Sequence, residues 1–160
     1  MTDDLRATMV RDLRALGREV AVYPSDAALF QAVPGITNTG GTLALHLAGN
    51  VQHFIGTVLG GSSYKRDRDA EFNRRDATRA ELGAEIERAI AAVERTLPSV
   101  TKEMWEAEFP QEVGGRRLPT RRFAAHLLAH LAYHLGQLDY HRRIVAPASG
   151  TVGTMSLTEL

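Results

Sequence analysis

Cysteine is absent from all 160 residues, which excludes disulfides, thiolate-bound metals and a cysteine nucleophile together. Any metal must then be held by nitrogen and oxygen donors. Net charge is missing as well. Nineteen Lys and Arg balance nineteen Asp and Glu, so no global field draws in nucleic acid or an acidic membrane surface. No run approaches the roughly 20 apolar residues that span a bilayer. The opening MTDDLRATMVRDLRAL lacks the apolar core of a signal peptide. The expectation is a cytoplasmic protein with no membrane and no nucleic-acid partner. Alternating strand patterns and internal repeats are also lacking, while 44% apolar residues suffice for one folded core.

What is present reads as helices. Leu5, Met9, Leu13, Leu16 and Val20 fall at helical spacing behind Thr2 or Asp3 as a cap. Asp26 to Phe30 reads as a short helical turn, and a second long helix is expected over 42–59, stopped by Gly60-Gly61. A third runs from a cap at Asp76 or Thr78 to Leu97, with Leu82, Ile86, Ala89, Ile90 and Val93 facing inward. A short amphipathic piece at Thr101 to Glu108 carries Trp105, and Pro110 to Pro119 is a loop or small hairpin. The last long helix spans Thr120 to Val145. Residues 1–147 make a single helical domain, and 148–160 a loosely held tail. The fold class is therefore all-α, a four-helix bundle whose long connections permit crossovers.

All six histidines fall in two of these helices: His46 and His53 in the second, His126, His130, His134 and His141 in the fourth. Residues i and i+4 share a helix face about 6 Å apart along the axis, so two imidazoles so placed can chelate one ion. The fourth helix offers His126/His130 and His130/His134. His126 and His134 are about 12 Å apart, too far to share an ion, so His130 belongs to either pair. His46 and His53 are about 10.5 Å apart, so at most one of them joins. Spacing leaves both choices open. Three histidines with open coordination positions suit catalysis.

The segments HLAGNVQHFIG from His46 and HLAYHLGQLDYHRR from His130 together resemble the DinB-like superfamily of metal-binding four-helix bundles, related to bacterial thiol S-transferases. The resemblance covers nearly the whole chain. It implies an up-up-down-down bundle, frequently a homodimer, with one divalent metal (zinc, nickel, manganese or iron) on His46, His130 and His134. It further implies a metal-dependent thiol S-transferase or related hydrolase acting on a small molecule, with a low-molecular-weight thiol as partner. The alternative is a non-catalytic, stress-associated module whose metal stabilises the bundle.

No general base stands out; Tyr64, His53 and Glu71 are weak catalytic candidates. The charged stretch 62–76 reads as a solvated connector whose charges pair with one another, although Tyr64 or Arg66 in a pocket wall is the functional reading. Gly136 is expected to let a neighbouring helix approach, and Gln137 to bond a loop or to support His134.

Overall fold

The computed structural model describes residues 2–153 and 156–160, so Met1 of the expected domain and Thr154 and Met155 of the expected tail lie outside the described residues. Helix α1 spans Thr2–Ala21 and buries Met9, Leu13, Leu16 and Val20 at the expected positions. A short helix α2, Asp26–Leu29, starts at Ser25, whose side chain accepts from the Ala28 amide. Helix α3, Gly40–Val51, is capped by Thr39 and begins two residues before the expected start. It runs on into a π-helix over Gln52–Leu59, where the chain widens, rather than as one continuous α-helix. Helix α4, Arg68–Asn73, is a single capped turn and a half. Helix α5, Arg79–Thr96, opens with a capping box between Thr78 and Glu81 and buries the five residues expected on its inner face. Helix α6, Lys102–Glu106, buries Trp105, and α7 spans Thr120–Val145.

Between α6 and α7 the hairpin form of the connection is found. Phe109 N donates to Leu118 O, and Val113 and Arg116 exchange both backbone hydrogen bonds. Gly114 and Gly115 take φ values of +59° and +71° at the tip, which favour glycine.

The four long segments form the expected bundle, α1 packing on α5 and α7, and α3 on the same two. Their directions differ from the up-up-down-down order. Glu19 pairs with Arg142 at one end of α1 and α7, while Leu5 and Ala125 line one groove at the other, so these two run parallel. Arg14 faces Glu94 and Gly17 faces Ile86, so α5 opposes α1. His46 meets His130 and Phe54 meets Phe123, so α3 opposes α7. Gln52 bonds Glu85 and Gly56 abuts Ala92, so α3 and α5 run together. The order is up-down-down-up. The physical reason lies in the two long connections. The first spends its length on α2 and covers one end of the bundle, where Phe30 lies on Gly41. Only the second returns along α3, from Tyr64 beside Thr57 to Glu71 beside His46.

Among the described residues no helix is long and apolar enough to cross a membrane.

Candidate metal centre

His46 sits on the buried face of α3, and His130 and His134 project from one face of α7 toward it. One ring nitrogen from each lies within 4.8 Å of the other two. The Nε2 atoms of His46 and His130 are 3.2 Å apart, and the rings of His130 and His134 stand edge to face at 4.5 Å.

The remaining nitrogens show how the donors are set. Nδ1 of His46 lies 3.0 Å from Oε2 of Glu71, so it carries the proton and donates to the carboxylate, which leaves Nε2 bare. Nδ1 of His134 lies 2.6 Å from Oε1 of Gln137, and the same logic leaves its Nε2 bare. Burial first, and then the neighbouring imidazoles, push His130 down to about 4, so its ring is neutral at neutral pH. Burial also lowers His134, against the hydrogen bond to Gln137. Nδ1 of His130 is buried without a hydrogen-bond partner, and its Nε2 faces the bare nitrogen of His46. Three imidazole nitrogens drawn together at one point are a donor set that a divalent cation can occupy. The residues fit such an ion. Three imidazole nitrogens do not choose strongly between zinc, nickel, manganese and iron.

Glu71 is buried, and both of its oxygens are engaged. Arg66 Nε donates to Oε1 at 2.7 Å and Arg66 Nη2 to Oε2 at 2.8 Å. Burial raises the Glu71 carboxyl, but the hydrogen bonds from Arg66 and His46 outweigh it and hold the group below the usual range. Most of 62–76 is solvated as expected, yet this part of the connector is folded inward and buttresses His46. The Tyr64 phenol is half-buried near Gly49, and burial raises its pKa, so it stays protonated. His53 points elsewhere: Nε2 lies 3.1 Å from Oε1 of Gln111, and burial lowers its pKa. His126 is exposed and lies at the cavity wall. His141 is fully buried between the Tyr23 hydroxyl and the Gln31 carbonyl, a packing role. Gly136 does not admit a neighbouring helix, because among the described residues a Cβ there would meet nothing within 4 Å outside its own stretch of helix.

The histidines open onto a cavity of about 310 Å³ whose wall includes Asn50, Phe54, Arg66, Phe72 and Phe123. Sequence reasoning did not single out Phe72, although Arg68 stacks on it at 5.1 Å and its ring packs on His46. A second space of about 710 Å³ lies alongside, lined by Ile36, Thr37, Tyr133, Gly136, Gln137 and Tyr140. Asn38, Leu43 and His134 belong to both.

A helical bundle whose facing helices bring three histidines to a solvent-connected cavity defines the DinB-like class. Within that class the chain belongs to the mycothiol S-transferase family, whose model matches residues 4–147. No curated protein matches the chain.

Proposed function

We propose that this protein is a divalent-metal-dependent thiol S-transferase that joins mycothiol, or a thiol of that class, to a small electrophile. The observation that carries the proposal is the convergence of His46, His130 and His134 on one point at the floor of a cavity, in a chain of this family. His46, His130 and His134 would hold the ion. When bound, the ion would lower the pKa of a thiol or water at its open positions.

The chain's own residues do the rest. Glu71 and Gln137 each accept a hydrogen bond from Nδ1 of a histidine and fix which nitrogen faces the cavity. Arg66 holds Glu71 in place. Phe54, Phe72 and Phe123 exclude water from one side of the cavity, which suits an apolar electrophile. In the transfer the sulfur forms a bond to the electrophilic carbon and the thiol proton leaves to solvent. A chloride departs with its bonding electron pair, whereas an epoxide oxygen keeps the pair on the product and takes a proton from solvent. With both Glu71 oxygens engaged and Tyr64 held protonated, neither supplies a general base. A reaction that consumes a reduced thiol belongs in a reducing compartment, so the proposal places the protein in the cytoplasm.

The test is metal content and thiol transfer, measured on the same preparations of wild type and His130→Ala. Wild type should hold about one divalent ion per chain and consume mycothiol with a chloro- or epoxide electrophile, and the variant should lose both. A wild type that takes up no zinc, nickel, manganese or iron overturns the proposal. One that binds metal but transfers no thiol leaves the metal with the stabilising role of the alternative.

A further inference from the structure

Gly136 occupies the interior of α7, where glycine costs about 1 kcal/mol against alanine. No tertiary packing accounts for it, since among the described residues nothing outside its own stretch of helix lies within 4 Å of where its Cβ would be. It stands three residues after Tyr133 and four before Tyr140, so all three share one face of the helix. The two tyrosines are 65% and 68% exposed, unusual for large aromatics, and they flank the glycine. Together they line the 710 Å³ space that meets the histidine cavity at His134.

We infer that this groove binds the two-ring carbohydrate part of the thiol, with Gly136 as its open floor and Tyr133 and Tyr140 as stacking platforms. The inference rests on the thiol-transfer function proposed above. Mycothiol is N-acetylcysteine carried on linked glucosamine and inositol rings. A reaction between two substrates needs two spaces that meet at the reacting centre. The histidine cavity, at about 310 Å³, lies at the small end of ligand pockets, which run from about 300 to 1,000 Å³. It accommodates the electrophile and the sulfur end, not two linked rings in addition. The adjoining groove has the volume, and its chemistry suits a sugar. Tyrosine faces pack against ring C–H groups, while Thr37, Asn38 and Gln137 supply hydrogen bonds to hydroxyls. Tyr133 and Tyr140 are about 10.5 Å apart along the helix, a separation that two linked six-membered rings span. Gln137 ties the groove to the centre, because it lines the groove and also bonds His134.

The experiment uses S-methylated mycothiol, which binds without reacting, titrated calorimetrically into metal-loaded wild type, Gly136→Leu and Tyr133→Ala/Tyr140→Ala. Gly136→Leu should raise the melting temperature, because leucine is the better helix former, yet weaken S-methylmycothiol binding about tenfold or more. The double variant should weaken it by a similar factor. In both variants the preference for mycothiol over N-acetylcysteine in kcat/KM should collapse, with metal content unchanged. A wild type that transfers mycothiol, alongside variants that bind S-methylmycothiol as tightly, overturns the groove assignment and leaves the transfer function standing. A wild type that neither binds nor transfers mycothiol overturns both. Variants that lose self-association but keep thiol affinity make the groove an interface between copies, which also overturns the assignment.

Discussion

Oε2 of Glu71 lies 3.0 Å from Nδ1 of His46, although the two residues are 25 positions apart and belong to different elements. The contact decides which nitrogen of His46 faces the cavity. Arg66 makes it affordable, by supplying two further hydrogen bonds to a carboxylate that would otherwise be buried with one partner. A histidine that donates to a carboxylate is both better oriented and more basic at its other nitrogen.

Glu71→Gln should therefore weaken the metal site without emptying it. The carboxamide keeps the shape but loses the charge, and its NH₂ group would face Arg66. Metal affinity should fall about 10- to 100-fold, measured by competition with a coloured chelator. An affinity equal to wild type would show that the contact does not orient the histidine.

Gly40→Ala should cost about 1–3 kcal/mol of stability by overpacking. Its Cβ would fall on the Tyr23 hydroxyl, 2.7 Å from Cζ and 3.1 Å from Nδ1 of His141. Tyr23 cannot step aside cheaply, because its ring is buried and its hydroxyl is 2.8 Å from that same Nδ1. Urea unfolding would measure the loss. A midpoint unchanged from wild type would mean that this end of the bundle is looser than its packing implies.

These contacts mark where sequence was informative and where it was not. Leu82, Ile86, Ala89, Ile90 and Val93 were legible because helical periodicity reports burial directly. His130 and His134 were legible because four-residue spacing puts two rings on one face whatever surrounds them. Glu71 was visible only as a weak catalytic candidate in a charged connector, not as the group that orients His46. Its burial depends on Arg66 neutralising it, and no pattern in 62–76 says which charges turn inward. Helix direction was likewise hidden. The connections before and after α3 have similar lengths, and only tertiary contacts show that one caps an end while the other returns along the helix. Gly136 looked like a packing glycine from sequence because open space and a close neighbour both call for a missing side chain.

Arg142 and Glu19 are fully buried and joined to each other, with Asp139 as a second carboxylate on the same guanidinium. Removing Glu19 leaves the buried guanidinium to share Asp139 with Arg143. Glu19→Met should cost about 3–5 kcal/mol, whereas adding Arg142→Met should recover much of that loss. Thermal or urea unfolding of the two single variants and the double variant gives the coupling. Single losses that simply add in the double would rule out the pair as a coupled unit.

Glu81 provides a pH test at the other extreme of exposure. The Thr78 backbone amide, then Arg74 and the Thr78 hydroxyl, hold its carboxyl down to about 2 from an ordinary 4.5. The folded state therefore binds fewer protons than the unfolded chain between those two values. The stability that Glu81 contributes is present above pH 4.5 and is lost as the pH falls toward about 2. Glu81→Gln removes the titration while keeping an oxygen for the cap. Protonation of His53, His130, His134 and His141, whose pKa values burial lowers, reduces stability in acid as well, but it does so in both proteins and cancels in their difference. The gap in urea midpoint between wild type and Glu81→Gln should be widest above pH 4.5 and shrink steadily in acid. A gap that stays constant with pH would mean that the carboxylate's charge does not strengthen the capping box.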